Sequence, residues 1–178
     1  QFANLFGLPQ SSSGVIVSGG TLSNIQAIIT ARNAHLKSNT GNISKNLKPL
    51  VFFASEHSHV SNKKAAMISG LGIESLIYVK SDKNGKMDVR DLQLKIDTAV
   101  NSGQEPFAVV ATLGTTVTGN IDPIKEIAPI CKAHNLWLHA DAIYGGAIIL
   151  SKKEKYRLDG IAEADSISFN PQKWMHIA

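Results

Sequence analysis

The run Phe107-Ala108-Val109-Val110-Ala111-Thr112 restricts this chain more than any other segment. It is apolar without alternation, so as a strand it is covered on both faces, which is the habit of a parallel sheet held between helices. It opens into Leu113-Gly114-Thr115-Thr116-Val117-Thr118-Gly119, a glycine- and threonine-rich loop at the strand's C-terminal end, the edge where open α/β sheets take their ligands. Further short strands are expected at Leu50 to Ala54, Ser75 to Val79, Leu136 to Ala140 and Ser166 to Phe169. Helical patterns separate them. One runs from Val60 to about Ser69, closed by Gly70 and Gly72. A second starts at Asp88 and carries Val89, Leu92, Ile96 and Val100 on one face. A third is announced by Asp122-Pro123-Ile124-Lys125-Glu126, an N-cap acid, a proline at the first helical position and an acid in the first turn. Strand and helix alternate from Leu50 onward, which predicts an α/β fold in three layers: a mostly parallel sheet with helices on both faces.

The 178 residues are enough for one domain with a real core, and 43% of them are hydrophobic. No apolar run is long enough to span a bilayer, and the first ten residues do not form a signal peptide. The net charge of +4 comes from scattered lysines, which reads as a solvated surface and not as a nucleic-acid face. The single cysteine, Cys131, rules out an internal disulfide framework and fits a reducing, cytoplasmic setting. It lies in a helical pattern and reads as core, not as a nucleophile. No spacing of ligand residues suggests a metal site. The chain starts at Gln1 without Met and stops five residues past Lys173, so both ends are expected to be cut from something longer.

Before Leu50, Gln1 to Pro9 reads as a short amphipathic segment and Val15-Ile16-Val17 as a brief extended run. Ser18-Gly19-Gly20-Thr21 then leads into a helix from Leu22 to Leu36, with Leu22, Ile25, Ile28 and Ile29 at helical spacing. Free N–H groups and the dipole at such a helix start favour an anion, and the Thr21 hydroxyl can donate as well. An ordinary turn with a cap accounts for the same residues, and no Gly-x-Gly-x-x-Gly dinucleotide fingerprint is present. Lys37 to Pro49 reads as a polar surface loop.

Three more features sit at strand ends. His57 or His59, at a strand-to-helix junction, can lie flat on an aromatic ligand or carry a proton; a surface or capping role is the alternative. Asp141, just past a buried strand, is a candidate partner for a protonated ring nitrogen, or else a turn acid. Lys173 follows the last strand beside Trp174. Held near apolar surface, its amine would lose solvation and become available as a nucleophile toward an aldehyde; a solvent-facing lysine is the alternative. Pyridoxal phosphate offers four handles that match: an anionic tail for Gly20 and Thr21, a ring face for His59, a ring nitrogen for Asp141 and an aldehyde for Lys173.

Five segments, taken together, resemble the group II pyridoxal-phosphate amino acid decarboxylases, the family of the aromatic amino acid, glutamate, histidine and diaminobutyrate decarboxylases. They are Ser18-Gly19-Gly20-Thr21-Leu22-Ser23-Asn24, Ser58-His59-Val60-Ser61-Asn62-Lys63-Lys64-Ala65, Thr112-Leu113-Gly114-Thr115-Thr116, His139-Ala140-Asp141-Ala142-Ile143-Tyr144-Gly145-Gly146 and Asn170-Pro171-Gln172-Lys173-Trp174. The resemblance covers nearly the whole chain. It implies the central part of an aspartate aminotransferase-like, fold-type I large domain, with the N-terminal segment and the C-terminal small domain outside residues 1 to 178. It implies pyridoxal 5'-phosphate as cofactor and decarboxylation of an L-amino acid to an amine and carbon dioxide. Lys173 would be the Schiff-base lysine and Asp141 the ring-nitrogen partner. His59 would stack on the ring and assist proton transfer. Gly20, Thr21 and Asn170 would hold the phosphate, and Thr115 would lie near the cofactor and the substrate carboxylate. The family further implies a homodimer of the full-length protein, and a fragment that is inactive by itself. Two residues depart from the family's habit: Gln172 where His usually precedes the lysine, and Ile143 where Ala is frequent. Another enzyme on the same scaffold, such as a lyase, an aminotransferase or an aldehyde-forming relative, and a non-catalytic fragment are the alternatives. The Tyr144 to Ser151 region resembles diaminobutyrate-type members, which hints at an aliphatic substrate.

Overall fold

The computed structural model describes residues 1–37 and 48–177. Most of the polar segment expected as a surface loop between Lys37 and Pro49 lies outside the described residues. Five strands form one sheet: β1 (Leu50–Ser55), β2 (Leu76–Val79), β3 (Glu105–Thr112), β4 (Trp137–Ala142) and β5 (Ser166–Phe169). Every pairing is parallel, and the order is β2-β1-β3-β4-β5. The winding reverses between β1 and β3, so the loops after these two strands diverge and leave a crevice at the sheet's C-terminal edge.

Side chains alternate across the sheet, and the two faces carry different helices. Val51, Phe53, Val109, Ala111, Leu138 and Ala140 pack with α4 (Val89–Asn101) and α5 (Ile124–Ala133). Phe52, Ala54, Ala108 and Val110 pack with α2 (Gly20–His35) and α3 (Ser61–Ile68). This is the three-layer arrangement the alternation of patterns predicts. Phe52 and Phe107 are fully buried with ring centroids 5.7 Å apart. Burying a side chain of that size contributes roughly 1.5–3 kcal/mol over leaving it in water. At the far edge, Phe2 of the short helix α1 (Phe2–Leu5) and Phe6 just past it place their rings 5.5 and 5.3 Å from that of Phe169 on β5.

Asp88 caps α4 as expected, its carboxylate accepting the Arg90 N–H at 2.8 Å. Asp122 does not cap α5. That helix starts at Ile124 with Pro123 as its cap residue, while the Asp122 carboxylate turns inward and accepts the N–H groups of Met87 and Thr112 at 2.8 and 2.7 Å. A buried N–H must find a partner, and holding these two outweighs a local cap. Val15-Ile16-Val17 also departs from expectation: it joins no strand, and Val15 and Ile16 are exposed. Strand β4 runs on to Ala142, so Asp141 lies inside the strand and not beyond it.

Candidate active site

The register of the sheet brings the chemistry-bearing residues to one edge. Asp141 pairs with Thr112 on one side and with Ser168 on the other. One residue past β5, Asn170 accepts the Gln172 N–H at 3.0 Å and so starts α6 (Pro171–Trp174), which carries Lys173. Asp141 and Lys173 therefore leave neighbouring parallel strands at the same end. Asp141 is buried. One carboxylate oxygen accepts the Asn24 amide at 2.7 Å and the other the Ile143 N–H at 3.3 Å, which is what a buried charge needs. Lys173 is exposed, and the Trp174 ring stacks on Tyr144 at 5.3 Å. The apolar shielding expected for the amine is therefore not supplied by the described residues.

Helix α2 lies over this edge. Ser23 and Ser168 share a hydrogen bond of 2.7 Å, and Asn24 reaches Asp141, so the residue that contacts the carboxylate lies about one helical turn after the start of α2. Gly19 has φ +88°, the α2 N-terminus has no side-chain cap, and its first turn holds no acid. Among the described residues its leading N–H groups thus have no side-chain partner, which leaves them for an anion. Gly20 has no room for a side chain, since a Cβ there would come within 2.6 Å of Ile143 Cδ1.

His59 is half-buried in the loop between β1 and α3. Its Nδ1 accepts the Ser61 N–H at 3.1 Å and lies 2.9 Å from Ser61 Oγ, which leaves Nε2 for other work. His57 stands further out and is exposed. Thr115 is buried, but its hydroxyl serves its own loop, accepting the Asn120 N–H at 3.1 Å and sharing a 2.7 Å bond with Thr118. Gly145 and Gly146 fasten the next loop down. A Cβ on Gly145 would run into the Leu113 carbonyl oxygen, and one on Gly146 would meet the Phe169 ring at 2.6 Å.

Residues that sequence reasoning did not single out complete the site. Asn24, His139, Ser61 and Ser168 are all buried beneath Asp141. His139 is held in place by Ser166, Asn24 and Ser168, and burial pushes its pKa down, against the opposing pull of the Asp141 charge and the Ser166 carbonyl. Asp122 is pushed up to about 6, because burial outweighs its two backbone N–H donors. A signal for these residues was present: Trp137, His139 and Asp141 alternate along one strand face, and Asn24 shares a helix face with Ile28 and Ala31.

An anion seat, a carboxylate, an imidazole and a primary amine along one edge suit a cofactor with a phosphate, a ring nitrogen, a ring face and an aldehyde. The Thr112 Oγ1, beside Asp141 in register, is buried without a hydrogen-bond partner among the described residues and fits a polar ligand there. Sheet and site together define a pyridoxal-phosphate protein of fold type I. Comparison with known proteins agrees. The family model described as "Pyridoxal-dependent decarboxylase conserved domain" matches residues 1–178, and the chain belongs to that family. Human cysteine sulfinic acid decarboxylase is 42% identical over 163 residues, 92% of this chain and 33% of that protein. The crystal structure of mouse CSAD in apo form superposes with a TM-score of 0.93 at 40% identity, covering 98% of this chain and 36% of that one. The glutamate decarboxylase domain of the diaminobutyrate-pyruvate transaminase and L-2,4-diaminobutyrate decarboxylase from Vibrio parahaemolyticus gives 0.91 at 34% identity, covering 98% and 39%. The chain thus spans about a third of the length of the relatives it matches.

Proposed function

We propose that these residues are the central part of the cofactor-binding domain of an enzyme that converts an L-amino acid to an amine and carbon dioxide with pyridoxal 5'-phosphate. The observation that carries this reading is the departure of Asp141 and of the Lys173 turn from neighbouring strands, at the edge where α2 presents its uncapped start. When bound, the cofactor supplies a protonated ring that accepts the electron pair left on the substrate's Cα as carbon dioxide leaves. The chain's own residues do the rest. The N–H groups of Gly20 and Thr21, the Thr21 hydroxyl and the Asn170 amide hold the phosphate. The Asp141 carboxylate keeps the proton on the ring nitrogen, since an anion stabilises a neighbouring cation. His59 covers the ring face and moves a proton at Nε2, its Nδ1 being occupied by Ser61. The Lys173 amine would be the group that holds the cofactor's aldehyde. Thr115 shapes the loop that borders the substrate carboxylate.

The substrate we name first is cysteine sulfinic acid, on the 42% identity to the human enzyme, ahead of 2,4-diaminobutyrate. We place the full-length protein in the cytoplasm as a homodimer. Exposed Val15, Ile16 and Val117 support a surface that a second copy covers, and a single buried thiol suits a reducing compartment. No helix among the described residues is long and apolar enough to cross a membrane. The test is carbon dioxide release by the full-length, cofactor-loaded protein from a panel of amino acids, with amine as the co-product and loss of both in Lys173→Ala. Aldehyde or keto acid in place of amine would move the protein to another reaction on this scaffold. No turnover from any amino acid would leave a non-catalytic role.

A further inference from the structure

The geometry points to Asn24 as a positioning residue whose single side-chain amide ties Asp141 to His59 and is itself oriented by His139. The inference rests on the proposed function, which puts Asp141 and His59 against one ring.

The hydrogen bonds fix the orientation of the Asn24 amide. The Asn24 atom 2.7 Å from Asp141 Oδ2 must be the nitrogen, because a carboxylate only accepts. Its second hydrogen goes to Ser61 Oγ at 2.9 Å. Having accepted there, Ser61 turns its own hydrogen to His59 Nδ1, which accepts the Ser61 N–H as well. The proton of a neutral His59 is thereby held at Nε2. On the other side, Asn24 Oδ1 lies 3.2 Å from His139 Nε2, so that nitrogen carries hydrogen. His139 Nδ1 lies 2.8 Å from Ser166 Oγ and 3.2 Å from the Ser166 carbonyl oxygen: it accepts from the hydroxyl when the ring is neutral, the form burial favours, and donates to the carbonyl when the ring is protonated. Donation runs from His139 Nε2 through Asn24 and Ser61 to His59, with a branch at Asn24 to Asp141. Asn24, Ser61 and His139 are all fully buried, so no water competes for these bonds, and in low dielectric a wrongly turned amide is costly. Reversing the Asn24 amide would set its carbonyl against the Asp141 carboxylate and its NH2 against the His139 N–H. Asn24 thus keeps Asp141 turned to the edge and fixes which His59 nitrogen carries the proton.

The experiment uses the full-length protein in wild-type, Asn24→Leu, His139→Leu and His139→Gln forms. Two quantities are read: the dissociation constant of pyridoxal phosphate, and the 15N shifts of labelled histidines in the apoprotein. Removing a hydrogen bond to a charged group predicts about tenfold or greater weakening of cofactor binding in Asn24→Leu, with the His59 signals moving from the Nε2–H tautomer to a mixture. Should Asn24→Leu not fold, the His139 pair decides. His139→Leu weakens binding and disturbs His59, while His139→Gln, which keeps an N–H near the Nε2 position, restores both. Folded variants with wild-type affinity and an unmoved His59 tautomer would overturn the inference. If the wild type binds no pyridoxal phosphate while its histidines show the assigned tautomers, the proposed function fails and the hydrogen-bond assignment stands.

Discussion

Asp122 should make this fold less stable as pH rises through the mildly acidic range, and Asp122→Asn should abolish that dependence. The carboxylate is buried and accepts the N–H groups of Met87 and Thr112, which favour its charged form. Burial opposes them and wins, raising the pKa from 3.8 to about 6, with the Asp141 charge pushing the same way and His57 pulling against it. Between these two values the native protein holds a proton that the unfolded chain has released, so stability falls as pH rises. The contribution is fully present below about pH 4 and gone above about pH 6. A shift of this size, at 1.36 kcal/mol per pH unit, is worth about 3 kcal/mol. Asparagine carries no charge to desolvate, but it turns an NH2 toward one of the two N–H donors and leaves that donor unpaired, a loss of about 1–3 kcal/mol at every pH. Between pH 4 and pH 7 the stability difference between the two proteins should therefore move by about 3 kcal/mol in the variant's favour. Urea unfolding of both proteins across that range measures it. Parallel profiles would show that Asp122 is ionised throughout and that its backbone donors, not burial, set its charge.

Two other outcomes follow from packing. Gly145→Ala should cost about 2–4 kcal/mol, because the new Cβ meets the Leu113 carbonyl and breaks the 3.0 Å bond from the Gly145 N–H. Gly103→Ala, at an exposed turn with open space around it, should cost only the strain of φ +78°, about 1–2 kcal/mol. Equal shifts of the urea midpoint would contradict this reading. The Cys131 thiol, pushed up to about 12 chiefly by burial, should resist a thiol-specific disulfide reagent at pH 8 until the protein unfolds. Prompt stoichiometric labelling of the folded protein would refute that.

Much of the architecture was legible because it depends on local pattern. The unbroken apolar run at Phe107–Thr112 and the alternation of strand and helix specify a parallel sheet covered on both sides, and five motifs mark the edge that matters. What stayed hidden depends on contacts between distant residues. Asp122 followed by Pro123 has every local feature of a helix start, yet two buried N–H groups, one of them 35 residues away, claim its side chain. Val15-Ile16-Val17 has strand-forming residues but finds no neighbouring strand to pair with. Asn24 and His139 were each readable as polar residues on a buried face. That they share one amide 115 positions apart is a fact of packing alone. The tight fit of Gly145 and Gly146 belongs to the same class, since it arises only when β4 lies between β3 and β5.

The most direct test of the site is to find where the cofactor attaches. The full-length protein is incubated with pyridoxal phosphate, reduced with borohydride to fix the pyridoxyl group on the amine that holds it, and mapped by peptide mass spectrometry. The peptide carrying Lys173 should bear the added mass, and Asp141→Ala should lower its yield. Label on another lysine, or yield indifferent to Asp141, would mean that this edge of the sheet is not where the aldehyde is held.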